Sequence, residues 1–390
     1  MKICDLTQFY SPVSGGVRRY VEQKVKYLRQ HHPDSQHILV IPGETTGHTG
    51  DDHARVYTVA SPLISRTSRY RALLKLHLVE EVLESEKPDI IESGDPYQLA
   101  WKAIASGRGL GIPVVGFYHS HFTEAYIRSV AKYFGPLATS IAEDLSRRYV
   151  RHLYNHFERT MVPSPALADL LRDWGVEDVE NVDLGVDTDI FKPSSESPAA
   201  IRRELGVPED RRLLLYVGRL ASEKNVRTLF DAFRLLNARH PGTYHLFTTG
   251  DGSLRSSLLK LRDDTNAVTW LQFCGDSQQL ARLYHAADLF VHPGIQETFG
   301  LVTLESQACG TPVVGIRGSY MDRIIFSNQT RWAAENTPES LANAIHSKFH
   351  DDLPAIGLQA SHAARGRYSW KIIFDHMFAL YQDVIAHYSK

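Results

Sequence analysis

The chain has 390 residues, 43% hydrophobic and 23% charged, with a formal net charge of −2. At roughly 100–200 residues per domain this is length for two domains, and the near-neutral balance excludes an electrostatic case for nucleic acid as the main partner. Cys4, Cys274 and Cys309 lie far apart and are odd in number, which fits a reducing compartment and argues against a disulfide framework. No run approaches the roughly 18–20 apolar residues of a spanning helix, and Met1-Lys2-Ile3-Cys4-Asp5-Leu6 is charged too soon for a signal peptide. The expectation is a cytoplasmic protein, with a peripheral position on the inner face of the cell membrane left open.

In chain order, short apolar runs alternate with amphipathic stretches, the pattern of parallel α/β layers. Residues 2–9, 37–42, 56–59, 89–92 and 114–118 read as strands, with helical periodicity over 17–30 and 72–85 between them. Residues 159–163 and 182–185 add two short strands, and Ser194-Ser195-Glu196-Ser197-Pro198 reads as a linker. The pattern restarts with strands over 213–218, 244–250, 269–273, 288–292 and 312–316, and ends in a helix from 370 to 390. This predicts two doubly wound Rossmann-like domains, 1–190 and 191–369, facing a deep cleft, with the helix 370–390 packing back on the first. In open α/β sheets ligands bind beyond the carboxyl ends of the strands, so the loops after strands are where chemistry is sought.

The first such loop holds Gly15 and Gly16 ahead of a helix, a place where backbone N–H groups can approach an anion or where the chain simply turns. His119 and His121 follow the strand at 114–118. Two histidines with no third ligand nearby argue for a hydrogen-bonding or structural role over a metal. Gly218, Arg219 and Lys224 follow the strand at 213–218, so two cations and a helix start fall within one loop, suited to a diphosphate. Ser222 is a candidate cap for that helix. Gly250 ends the next strand as a turn or a point of close approach, and Cys274 follows the one after. Then come Glu297, Thr298, Phe299, Gly300 and Leu301, with Glu305 one turn into the helix they open. The amides of Phe299, Gly300 and Leu301 make an anion site. Two carboxylates beside it suit sugar hydroxyls, so the stretch describes a sugar nucleotide.

Glu297-x7-Glu305 with Phe299-Gly300 between its acids and Glu-Ser-Gln-Ala-Cys-Gly-Thr-Pro-Val-Val behind, Val217-Gly218-Arg219-Leu220 to Lys224, Gly250-Asp251-Gly252, Gly185-Val186-Asp187 with Phe191, and Gly15-Gly16 follow in one order. Together they resemble the retaining glycosyltransferases of family four, over nearly the whole chain. The resemblance implies a GT-B fold and a UDP-sugar or GDP-sugar donor held mostly by the C-terminal domain. Arg219 and Lys224 would then hold the diphosphate, with Gly16 helping from across the cleft. Glu297 would contact the transferred sugar, Glu305 the ribose, and the base would lie near Phe273 and Cys274. His119 takes the place of the family's histidine near the reacting sugar. No cofactor and no metal are implied, and Asp187-Thr188-Asp189 at the domain junction is read as structural. Leu184 departs from the Asn or Arg that many relatives carry there. The implied reaction keeps the anomeric configuration by a front-face route, the leaving diphosphate taking the proton of the attacking hydroxyl.

The acceptor belongs to the N-terminal domain on this reading, and is a lipid or a saccharide. Arg66, Arg69, Arg71 and Lys75 share one basic, acid-free stretch, and residues 126–154 add Arg128, Lys132, Arg147, Arg148 and Arg151. Basic and apolar faces together can dock on an anionic membrane surface, and a solvated helix face is the competing reading. The pattern is loosely similar to lipid-directed mannosyl- or sulfoquinovosyl-type members. The alternatives of the same fold are a sugar-nucleotide epimerase or hydrolase and a non-catalytic nucleotide-sugar binder. A glycogen-phosphorylase-like enzyme would need a pyridoxal-phosphate lysine, for which the sequence offers no matching site.

Overall fold

The computed structural model describes residues 1–10, 16–64, 69–119, 135–295, 297, 299–319, 321–327 and 331–388. It divides into two compact units, Met1–Leu184 with Ile373–Lys390, and Gly185–Ile372.

Unit 1 runs β1 (Lys2–Leu6), α1 (Gly16–His31), β2 (Gln36–Gly43), β3 (Gly47–Gly50), β4 (Ala54–Ala60), α2 (Leu76–Glu86), β5 (Ile90–Ser93) and α3 (Gln98–Leu110). It continues with β6 (Val114–Phe117), α4 (Pro136–Tyr154), β7 (Arg159–Val162), α5 (Pro165–Asp173) and β8 (Val179–Asn181). The sheet order is β3-β4-β2-β1-β5-β6-β7-β8, parallel throughout except for β3. Its inner strands are near-continuous apolar runs because helices cover both faces. Ile3, Ile38, Ile90, Ile91 and Val162 are wholly enclosed. Ser164 caps α5 by accepting from the Leu167 amide at 3.3 Å, and Pro165 starts that helix where its missing N–H is no loss.

Unit 2 runs α6 (Pro198–Glu204), β9 (Arg212–Val217), α7 (Val226–Arg239), β10 (Tyr244–Thr249), α8 (Arg255–Thr265), β11 (Val268–Leu271) and α9 (Ser277–Ala286). It continues with β12 (Leu289–Val291), α10 (Leu301–Ala308), β13 (Val313–Val314), α11 (Pro338–Lys348) and α12 (Leu353–Tyr368). Its sheet is parallel in the order β11-β10-β9-β12-β13. The last helix, α13 (Trp370–Tyr388), belongs to unit 1 from Ile373 onward. There Tyr27 donates to Asp375 at 2.7 Å, and Arg159 pairs with Asp383 at 2.9 Å.

In each sheet the strand order reverses once, between β1 and β5 in unit 1 and between β9 and β12 in unit 2. Such reversals open a crevice at the carboxyl ends of the two strands, the usual ligand position in open α/β sheets.

Two expectations are corrected, and one strand is new. Residues 182–185 form no strand; β8 lies just before them, because the amide of Val182 makes the last bond to the Val162 carbonyl and the chain then leaves the sheet. The strand expected over 312–316 is only Val313–Val314, with a single further bridge from Ile316 to Ala333. β3 was not foreseen, being Gly-His-Thr-Gly with every residue exposed and so carrying no hydrophobic pattern.

Candidate active site

Two loops meet the switch point of unit 2. The first follows β9 and is held from behind by glycine. Gly250 has φ +135°, and a Cβ on it would stand 1.9 Å from the Gly218 carbonyl oxygen. Only a glycine lets these two backbones approach so closely. The amides of Gly218 and Leu220 donate to Thr249 and Asp251, so the loop is stitched to the end of β10. Tyr216 Oη donates to the Arg219 carbonyl at 3.0 Å. Ser222 does not cap the next helix as expected. It opens a 3-10 turn, Ser222–Lys224, and Asn225, in the left-handed conformation, precedes α7.

The second loop follows β12 and carries Glu297. Lys224 Nζ donates to Glu297 Oε2 at 2.5 Å, so the pair spans the reversal from one loop to the other. Both are partly shielded, at 28% and 17% side-chain exposure. Burial alone would raise the Glu297 carboxyl, but Lys224, His292 and Arg219 together outweigh it, and Glu297 titrates below its ordinary range. Arg219 is more exposed and pairs with Glu223 at 3.0 Å, although its charge still reaches Glu297.

Gly300, at φ +82°, is the N-cap of α10, and a Cβ there would meet Met321 Cε at 2.2 Å. The amides of Thr303 and Leu304 both donate to the Gly300 carbonyl. Phe299 and Gly300 lead into Leu301, the first residue of α10, at the kind of helix start whose first amides have no acceptor within the helix. Glu305 is enclosed at 1% exposure and accepts from Tyr284 Oη at 3.1 Å. His292 at the end of β12 is buried too, which lowers its pKa to about 4. Cys274 is half-buried and turns its thiol toward the Asp276 carbonyl at 3.5 Å, while Phe273 beside it is exposed. Asp187 is buried, with its carboxylate accepting from the Asp189 amide, a turn contact in keeping with a structural Asp-x-Asp. Among the described residues, no group of three or more His, Cys, Asp or Glu is placed to hold a metal ion.

In unit 1, His119 follows β6. Its ring is edge-on to Phe117 at 4.0 Å and to Tyr20 at 5.0 Å. Burial, and secondarily the charge of Lys24, holds its pKa down to about 3, so the imidazole is neutral at ordinary pH. Behind it lies a closed polar cluster that sequence reasoning missed. Lys24 Nζ, wholly buried, donates to Asp5 at 2.9 and 3.0 Å and to Tyr381 at 3.2 Å, and lies 3.1 Å from Glu92. Tyr20 and Tyr381 donate to Glu92, and His37 Nε2 lies 3.0 Å from Asp5. One available signal was helical spacing: Lys24 falls on the same face of α1 as buried Tyr20, Val21, Tyr27 and Leu28, where a lone lysine demands a buried partner.

Gly16 opens α1. Arg71 is engaged within unit 1, donating to the Ser61 carbonyl at 2.8 Å and to Glu44 at 2.6 Å. Arg69 sits in a left-handed conformation, φ 53°, and Lys75 precedes α2 on the surface. Gly15, Arg66, His121, Arg128, Lys132 and Thr298 lie outside the described residues.

Comparison with known proteins fits this geometry. Residues 14–190 match the family described as Glycosyltransferase Family 4, and residues 198–366 the family Glycosyl transferases group 1. A GDP-mannose-dependent alpha-mannosyltransferase of Corynebacterium glutamicum is 31% identical over 81% of this chain and 72% of its own. The chain is a family 4 glycosyltransferase. The enzyme is also 30% identical, over 89% of its length and 87% of the relative's, to a GDP-mannose-dependent alpha-(1-6)-phosphatidylinositol dimannoside mannosyltransferase of Mycobacterium tuberculosis. In fold it is similar to the sucrose-phosphate synthase of Thermosynechococcus elongatus, with a TM-score of 0.75, 21% identity and 99% of both chains covered. The Anabaena protein HepE in complex with UDP gives a TM-score of 0.72 at 19% identity, covering 98% of this chain and all of its own. The glycosyltransferase has the GT-B fold, with two Rossmann-like units, and moves a sugar from a nucleotide sugar to a lipid or glycan acceptor.

Proposed function

We propose that the enzyme transfers a mannosyl group from GDP-mannose to a hydroxyl of a lipid-linked polyol, with retention of configuration and without a metal ion. The observation that carries this reading is the Lys224–Glu297 pair at the switch point of unit 2, beside the start of α10. A donor entering there would exchange the Glu297 carboxylate for its own diphosphate on Lys224, and free Glu297 to accept from sugar hydroxyls. Arg219 would turn from Glu223 to the same diphosphate. The two side-chain cations and the helix end stabilise the charge that grows on the leaving diphosphate, the work a metal performs in other transferases. The departing oxygen takes the proton of the attacking hydroxyl on the same face. Glu297 positions the sugar and is not a nucleophile. Glu305 and the backbone near Cys274 complete the nucleoside end.

Support for mannose and for a lipid comes from the relatives, whose names specify GDP-mannose and phosphatidylinositol dimannoside. α4 gives it a surface. Leu137, Ile141 and Leu145, four residues apart, are 75%, 53% and 61% exposed, and Arg148 continues their row. An apolar stripe flanked by arginine suits an anionic bilayer on which the enzyme would sit peripherally.

Incubation with GDP-mannose, UDP-glucose and other nucleotide sugars, with and without phosphatidylinositol vesicles, tests the reading. Mannolipid formed from GDP-mannose, alpha by NMR and unaffected by EDTA, is the expected product. Free sugar or an epimer as the product, whatever acceptor is supplied, would make the enzyme a hydrolase or epimerase instead. No turnover of any donor would leave a binding protein.

A further inference from the structure

The switch point of unit 1 holds a second constellation, distinct from His119. Gln8 follows β1 and Asp95 follows β5, the two strands between which the order reverses. Asp95 is 2% exposed. Its Oδ2 accepts from the Gln8 amide at 2.8 Å, and the Tyr97 amide also donates to the carboxylate. Its Oδ1 is buried with no hydrogen-bond partner, and so is Oε1 of Gln8. Burial pushes the carboxyl up to about 6 despite the two amides. His119 is a near neighbour: a Cβ on Gly94 would lie 3.6 Å from its Nε2. Phe9, which packs edge-on to Tyr97 and Tyr70 at 5.6 and 5.3 Å, forms an apolar wall next to Gln8. Gln8, Gly94 and Tyr97 are only half-buried, so the site lies just beneath the surface.

Two enclosed oxygens that lack donors are costly, and native proteins rarely leave them so. What they lack is a donor: the carboxylate already accepts the Gln8 amide on its other oxygen, and Gln8 is neutral. Hydroxyl groups meet that need, and a ring of hydroxyls against an aromatic wall is the surface of a sugar or cyclitol. The neutral imidazole of His119 stands next door.

We propose that Asp95 and Gln8 bind hydroxyl groups of the acceptor, which makes them specificity-determining residues on the acceptor side. This rests on the transferase reading above. The substitution Asp95→Asn tests it sharply. The Gln8 amide holds the asparagine carbonyl in place of Oδ2, and its NH2 then stands where Oδ1 stood, a donor replacing an acceptor at nearly constant volume.

The experiment is a thermal shift of the full chain against glycerol, myo-inositol and D-mannose as probes, with GDP and UDP in separate wells. The wild type is expected to show a shift with a cyclic probe that saturates at concentrations on the order of 10 mM, below the range of general osmolyte stabilisation. Asp95→Asn is expected to raise the half-saturating concentration about tenfold or more, while its response to GDP stays that of the wild type. If Asp95→Asn does not fold, Gln8→Ala decides by the same measurement. The proposal fails if no probe shifts the wild type, or if the variant answers the probes as the wild type does. Silence toward both GDP and UDP would defeat the transferase reading itself, and the acceptor assignment with it.

Discussion

Lys224 and Glu297 neutralise each other across 2.5 Å. Lys224→Ala removes the hydrogen-bonded partner of that carboxylate and, on the proposed mechanism, a cation that stabilises the leaving group. The expected result is a 10²–10³-fold lower kcat at saturating donor, measured as nucleoside diphosphate release; an unchanged kcat would remove Lys224 from the leaving-group role. Gly250→Ala acts differently. Its Cβ would collide with the Gly218 carbonyl, and φ +135° is closed to alanine. A loss of about 2 kcal/mol or more in stability is expected, read by denaturant unfolding, together with weaker GDP binding as the Arg219 loop shifts. Gly250 was legible in the sequence as a turn or a point of close approach, but what it approaches was not: it answers to a carbonyl 32 residues upstream, which no local pattern reports.

α1 and α13 enclose the Lys24 cluster between them. Lys24 has its polar partners on other elements: Asp5 on β1, Glu92 on β5 and Tyr381 on α13. Lys24→Met leaves two carboxylates buried without their cation, and a loss of about 3–5 kcal/mol is expected in unfolding of unit 1. Adding Glu92→Gln to that variant should return part of the loss, since one uncompensated charge is removed; a strictly additive double variant would show that the cluster is not one unit. The strands that bury apolar runs were readable because burial on both faces leaves a compositional mark. The cluster was not, because its members stand at positions 5, 20, 24, 37, 92 and 381 and meet only through topology. Asp95 escaped for a related reason: an Asp-Pro after a strand looks like a turn until its orphaned oxygen is seen.

At the scale of the whole molecule, lowered histidines shape the response to acid; among the described residues His285 and His346 of unit 2 are lowered as well as the three that follow. His119, His245 and His292 are held by burial at about 3, 4 and 4, whereas in the unfolded chain they protonate near 6.5. The unfolded state therefore binds more protons between about pH 6.5 and 4. Stability falls with pH through that window, by up to about 1.4 kcal/mol per pH unit for each histidine. Asp95 works the other way, because its folded value of about 6 lies above the unfolded one, so the folded state gains protons as pH falls. His119 and Asp95 oppose each other in unit 1, while unit 2 holds His245 and His292. Guanidinium unfolding at pH 7.5 and pH 5 should show the transition of unit 2 losing more than that of unit 1; equal losses would contradict the assignment. The reversal points of the two sheets followed from the order of strands, and the resemblance named the donor loops. The acceptor half was less legible because its residues act through burial and not through a motif.

The return of the chain to unit 1 at Ile373 also makes the first Rossmann unit discontinuous, with all of unit 2 inserted between its two parts. Lys24 and Glu92 share a hydroxyl partner, Tyr381, that the chain supplies only after that insertion. The first half of the polypeptide therefore depends for its final state on residues translated after the second half.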